Sequence, residues 1–222
     1  KEGKKRVDEF LKIIDNHKIK IAKTGEKLIK KNQNIFTHCH SSMVMSILKT
    51  AYQKRKFKVF NDETRPLLQG HLTSKELRSA KIPNTILVDG ASPYVISHFS
   101  GKKLMMDNIF LGTDAISLDG SCVNKIGSYG VSLSAFYEKV PVYIATSLLK
   151  IDYEAEFGGD LKIEERSAKE LWQDPPIGLK VINLAFDLVP KNFITGYITE
   201  FGLVKPKDIK KLILKKYPWL LS

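Results

Sequence analysis

Cysteine is scarce: the 222 residues hold two, Cys39 and Cys122, too few for a disulfide framework. No apolar run approaches the about 18 residues needed to cross a bilayer, and no signal-peptide pattern opens the chain. The sequence lacks a Gly-x-Gly-x-x-Gly loop and a Walker loop, so nucleotide sites of those types are unsupported. It also lacks a second Cys/His pair at zinc spacing. Neither cofactor nor metal is expected, and the composition suits a cytoplasmic protein in a reducing compartment.

Charge is what the chain has in excess. Thirty-six Lys and Arg against 24 Asp and Glu give a net charge of +12. Much of that excess lies in the first 31 residues and between Lys205 and Lys216, where the pattern reads as lysine-rich helix surface. Val7, Phe10, Leu11 and Ile14 form an apolar stripe on the first of these helices. No RNA-binding signature accompanies the charge, so no specific nucleic-acid site is expected, although attraction to anionic substrates follows from the charge itself.

Apolar runs alternate with amphipathic ones from residue 33 onward. Strands are expected at 34–38, 56–61, 85–89, 108–111, 142–145 and 196–199. Helices are expected at 43–54, 73–80, 93–98, 126–139 and 206–215. Thr73-Ser74-Lys75-Glu76 reads as a capping box. The opening helix is expected to break near Asn16-His17. Residues 1–32 then form a helical segment, the remnant of a helical N-terminal domain, and 33–222 form the main domain. Strand–helix alternation implies an α/β fold, Rossmann-like, with a mostly parallel sheet and helices on both faces.

Ligands of such sheets sit beyond the carboxyl ends of the strands, where the polar clusters of this chain fall. Cys39-His40-Ser41-Ser42 follows the first strand and leads into a helix, a junction that gathers free backbone N–H groups. There a thiol near a lysine is expected to titrate close to neutrality; the competing reading is a plain core thiol. Asp62-Glu63-Thr64-Arg65 with Gln69-Gly70 follows the second strand, Asp89-Gly90 the third, and Gly112-Thr113-Asp114 the fourth. Asp119-Gly120 signals a turn, and Asn124-Lys125-Ile126-Gly127-Ser128 opens the next helix.

With these residues assembled, the chain resembles the family that joins translation initiation factor 2B regulatory subunits to methylthioribose-1-phosphate and ribose-1,5-bisphosphate isomerases. The matching blocks are Thr37-His38-Cys39, Glu63 to Gly70, Leu111 to Ile116, Asp119-Gly120 with Asn124 to Gly127, Asn183 to Pro190 and Ile198 to Pro206. The resemblance implies Cys39 and Asp114 as the catalytic pair of an isomerase, with Gln69, Asn124 and Lys125 as substrate contacts. Lys150 matches a phosphate-binding lysine of the ribose-bisphosphate branch, and Ser41-Ser42 stand where that branch has Ser-Lys. His40 replaces an asparagine, and no Arg-Gly phosphate loop is present. The family pairs through this domain, which implies a homodimer or larger assembly.

Two functions stand against each other. One is an aldose–ketose isomerase, with ribose-1,5-bisphosphate as substrate and Cys39 and Asp114 flanking C1–C2. The other is a non-catalytic regulatory subunit that binds a translation factor. The remaining residues take structural readings. His38-Cys39-His40 alternates along a strand, so the cysteine would point away from the histidines, which argues against a metal triplet. Arg65 is read as pairing with a carboxylate, Cys122 as packed, and Asn183–Pro190 as a buried turn with Asp187 bonding backbone N–H groups. Tyr217 to Leu221 is an apolar tail in need of cover, by a partner subunit for instance.

Overall fold

Short strands of Val, Ile and Phe, with each face buried under helices, organise the molecule. The computed structural model describes residues 2–152 and 164–221. In chain order the strands are β1 (Asn34–Thr37), β2 (Lys58–Asp62), β3 (Asn84–Leu87), β4 (Asn108–Leu111), β5 (Ala115–Ser117), β6 (Cys122–Lys125), β7 (Val142–Ala145), β8 (Ile151–Asp152), β9 (Phe186–Val189), β10 (Gly196–Thr199) and β11 (Gly202–Val204). The helices are α1 (Glu2–Gly25), α2 (Ser42–Lys54), α3 (Gln69–Ser79), α4 (Ser92–Ile96), α5 (Ser128–Glu138), α6 (Ala168–Leu171) and α7 (Ile209–Lys216).

Seven strands form the main sheet in the order β11-β10-β7-β4-β1-β2-β3, all parallel except the β10–β11 edge pair. Alternate side chains sort into two layers, as the two-residue period of a strand requires. Ile35, Val59, Phe110 and Ile198 pack with Ile21 of α1, Val44 and Ile47 of α2, and Leu77 of α3. Phe36, Phe60, Ile109, Leu111 and Tyr197 pack with Ile96 of α4, Ala135 of α5 and Ile213 of α7. Successive crossovers run outward in opposite directions from β1 and β4, which are neighbours. Their carboxyl ends mark the switch point where open α/β sheets bind ligands.

All six expected parallel strands are present, with ends shifted by two residues or fewer. Four expectations need correction. The opening helix runs unbroken through Asn16-His17 to Gly25, because His17 turns inward, 2.9 Å from the Ser147 hydroxyl. The second half of α1 joins the core, with Ile21 fully buried. The capping box is not used: α3 starts at Gln69, and the Thr73 hydroxyl instead donates to the Cys39 carbonyl. Residues 124 and 125 belong to a strand rather than the start of a helix, since α5 begins at Ser128.

The fourth correction is a whole layer. Strands β8-β5-β6-β9 make a second sheet, with β5–β6 and β6–β9 antiparallel. Part of the expected Asn183–Pro190 turn is therefore β9, although Asp187 does accept the Gly127 and Tyr129 N–H groups, at 2.7 and 3.0 Å. Tyr217 caps α7, Pro218–Leu221 then forms a short 3-10 turn, and Trp219 remains 62% exposed.

An ion cluster built on one buried carboxylate fastens the turn after α1 to the end of α2. Glu26 accepts from Lys54 Nζ and Arg55 Nη2, both at 2.8 Å, and its own side chain is 5% exposed. The Lys54 hydrogen bond, working against burial and helped by the charges of Lys54 and Arg55, holds the Glu26 pKa below its usual value. A depressed folded-state pKa stabilises above the unfolded value and is lost as pH falls through the folded one. Glu26→Gln should therefore destabilise the protein by about 1–2 kcal/mol at pH 7. Denaturant melts of both proteins should draw together below the unfolded-state value and converge as pH falls through the lower folded-state one; a gap that persists below the folded-state value would remove the charge from the explanation.

Candidate active site

The loops at the carboxyl ends of β1, β4 and β7 and the β6 strand of the second sheet enclose a cavity of about 720 Å³. Cys39, Ser41, Ser42, Gln69, Asp114, Asn124, Lys125 and Lys150 all line it. Every residue singled out from the sequence as a site residue thus reaches one space, although the chain separates the first and last by more than a hundred positions.

Cys39 does not lie on β1, which ends at Thr37. Its backbone is left-handed, with φ +64°, a region that costs an L-residue free energy and that surrounding bonds must enforce. The Cys39 N–H donates to the Thr64 hydroxyl at 3.0 Å, and its carbonyl accepts from Thr73 at 2.7 Å. The strand geometry expected for the His-Cys-His triplet therefore does not apply. His38 is instead buried against Asp62, and His40 Nδ1 lies 3.1 Å from the Thr73 hydroxyl. No cluster of His, Cys, Asp and Glu suited to a metal ion occurs among the described residues.

Burial raises the Cys39 pKa above its ordinary value, and Asp114 and Asp62 add to that; the His40 N–H and the Lys125 charge only partly oppose it. Burial thus favours the protonated thiol, against the near-neutral titration expected from the sequence: desolvation of the thiolate outweighs the neighbouring cation. The Asp114 side chain is exposed to the cavity. Its backbone N–H donates to Val123, at 2.9 Å, which ties the β4 loop to β6.

On β6, Lys125 is 9% exposed, and its ammonium rests 4.6 Å from the centre of the Phe186 ring. Asn124 Nδ2 donates to the Ser128 hydroxyl at 2.8 Å. Lys150 Nζ donates to the Thr113 carbonyl at 2.6 Å. Ser41 is the N-cap of α2, its hydroxyl accepting the Val44 N–H at a long 3.4 Å, and Ser42 begins that helix. The first turn of α2 thus faces the cavity with free N–H groups, an arrangement that favours an anion. Gln69 Oε1 is buried with no hydrogen-bond partner among the described residues, and an orphaned acceptor is costly unless a ligand meets it.

Some site residues went unread in the sequence. Phe10 and Ile14 wall the cavity from α1, part of the stripe assigned to helix surface. Thr146 and Ser147 line it as well, and their place directly after β7 was a signal of the same kind as the other loops. Arg65 is engaged differently from expectation: its Nη2 donates to the Leu171 carbonyl at 3.1 Å, while its backbone N–H donates to Asp89. Cys122 is fully buried, and burial pushes its thiol up to about 12.

Comparison with known proteins places this geometry in context. A ribose 1,5-bisphosphate isomerase of Methanocaldococcus jannaschii is 39% identical over 97% of this chain and 68% of its own length. A methylthioribose-1-phosphate isomerase of Acetivibrio thermocellus is 35% identical over 95% of this chain and 66% of its own. Among solved structures, a translation initiation factor eIF-2B of Pyrococcus horikoshii OT3 superposes with a TM-score of 0.81 at 30% identity, covering 93% of this chain and 70% of that one. The chain spans about two thirds of the length of the relatives it matches. The model of the initiation factor 2 subunit family matches residues 1–206, and with this fold and these relatives the chain belongs to that family.

Proposed function

We propose that this protein is a sugar-phosphate isomerase that converts an aldose 1-phosphate to a ketose phosphate, with ribose-1,5-bisphosphate as substrate and ribulose-1,5-bisphosphate as product. The observation that carries the reading is the meeting of the Cys39 thiol, the Asp114 carboxylate and the Lys125 ammonium around one cavity.

The chemistry demands such a set. A phosphate ester at the anomeric carbon blocks simple ring opening, so the ring oxygen needs an acid as its bond to C1 breaks. Cys39, held protonated by burial, donates that proton. The thiolate so formed is the base that takes the C2 hydrogen and returns it to C1, while Asp114 takes the proton of the C2 hydroxyl. The step ends with Cys39 as thiolate and Asp114 protonated, and passage of that proton from Asp114 back to Cys39 through solvent resets the pair, so atoms and charge balance and no redox partner is needed. Lys125, Lys150 and the first turn of α2 with Ser41 and Ser42 hold the phosphates, and Asn124 and Gln69 meet sugar hydroxyls. A substrate hydroxyl donating to Gln69 would satisfy the orphaned Oε1.

A regulatory role is the competing reading, favoured by the likeness to a protein described as a translation initiation factor. Incubating the protein with ribose-1,5-bisphosphate and following the ketose product by phosphorus NMR separates the two. Steady turnover is expected; none from folded protein would leave the regulatory reading standing. Methylthioribose-1-phosphate, run in parallel, tests the substrate, since it lacks the second phosphate that Lys150 is proposed to hold.

A further inference from the structure

No step of this isomerisation uses His38, yet the residue is 2% exposed and both ring nitrogens face acceptors. Nδ1 lies 2.8 Å from each oxygen of Asp62. Nε2 lies 2.8 Å from the Ile126 carbonyl oxygen, which can only accept, so Nε2 carries a proton. The Thr64 hydroxyl accepts the Cys39 N–H and passes its own hydrogen to Asp62 Oδ1, at 3.1 Å. Ser92 donates to Oδ2 at 3.0 Å. The Thr64 and Ser92 hydroxyls each donate to one Asp62 oxygen, and a hydrogen must lie between Asp62 and Nδ1, two groups that could otherwise only accept; we assign it to Nδ1.

The buried ring is thus an imidazolium. Asp62 at the end of β2, Asp89 after β3 and Asp187 on β9 place negative charge around it. Burial opposes its charge, but the Asp62 hydrogen bond and charge, the Ile126 carbonyl and Asp89 outweigh that and raise its pKa above the ordinary value. Its bonds join three segments: the end of β1, one residue from Cys39; the end of β2, whose Thr64 receives the Cys39 N–H; and the loop at Ile126, next to Lys125. Gly127 lets that loop lie against the ring, since a Cβ there would fall 2.9 Å from His38 Cε1.

We propose that the His38–Asp62 ion pair is the positioning device of this site, clamping the Cys39 backbone and the Lys125 loop at a fixed separation across the cavity. The proposal rests on the isomerase reading above. Charge-assisted bonds from a planar, packed ring give such a clamp its rigidity. Displacement of a reacting group by about 1 Å costs a rate factor of about 10².

Nitrogen NMR of the full chain labelled with ¹⁵N-histidine tests the first half. At pH 7 both His38 nitrogens should be protonated, with the signals assigned by their loss in His38→Gln. One unprotonated ring nitrogen would overturn the proposal. The second half is tested with His38→Gln and the isosteric Asp62→Asn, both checked by cooperative melting. Amide resonances of Cys39, Ile126 and Gly127 should shift together in both variants, and kcat per folded site should fall about 10²-fold with KM within about threefold. A purely structural role would lower the melting temperature and leave kcat per folded site intact. Unmoved Ile126 and Gly127 resonances in Asp62→Asn would sink the clamp. Absence of turnover in the unaltered protein would count against the isomerase reading alone, because the NMR measurements decide the pair without it.

Discussion

Cys39→Ser should lose about 10³-fold in kcat on ribose-1,5-bisphosphate, about 4 kcal/mol of barrier, while KM stays within about threefold. A serine hydroxyl fills nearly the same volume but is a far weaker acid than the thiol. Under the proposed function, binding falls to other groups, chiefly Lys125, Lys150 and the first turn of α2, which the substitution leaves in place. Asp114→Asn should fall to a similar degree, because its amide cannot take the hydroxyl proton. The two losses should not add in the double variant, since both groups serve one proton circuit. Initial-rate measurements over a range of substrate concentrations check this. A Cys39→Ser protein with most of its turnover would remove the thiol from the chemistry and leave it a structural residue.

Gly70→Ala should be severely damaging for so small a substitution. A Cβ at residue 70 would fall inside the Asp62 carbonyl oxygen and crowd the carbonyl carbons of Asp62 and Glu63. Those are backbone atoms, and they cannot step aside as a flexible side chain would. The same stretch is pinned by the Gly70 N–H on the Glu63 carbonyl, at 3.1 Å, and by Asn61 Nδ2 on the Gly70 carbonyl, at 3.0 Å. We expect a loss of about 3 kcal/mol or more, or about 6–12 °C in Tm for a chain of this size. Gly130→Ala in α5, where nothing lies within 4 Å of the added methyl, is the control. It should stabilise by about 0.5–1 kcal/mol through helix propensity. Thermal melts of the two variants side by side measure the difference, and a mild Gly70→Ala effect would mean that the end of β2 yields more than its bonding suggests.

The parallel sheet was legible because its strands are apolar on both faces and bounded by polar loops; Ile35-Phe36, Val59-Phe60 and Ile109-Phe110 carry that signal in adjacent pairs. The second sheet was not. Its strands are two to four residues long, too short to display a period, and they are held by long-range pairings such as Cys122 with Val189. The site residues were named from motif blocks. What no motif carried was their bonding. Thr73 reads locally as a helix cap, yet it serves the Cys39 carbonyl across 34 positions. His38 reads as half of a metal motif, and its partner Asp62 is a strand away. The protonated state of Cys39 was missed for a related reason: the lysine nearby is visible in the sequence, whereas the extent of burial is a property of the whole fold.

The left-handed backbone at Cys39 has a consequence for how this chain tolerates change. Glycine would sit at that φ without the steric penalty an L-residue carries, and such a replacement relieves strain of the order of 1 kcal/mol. Thermal robustness and reactivity therefore pull in opposite directions at this one position. A library screened only for survival of heating would drift toward chains that endure longer and no longer hold a thiol.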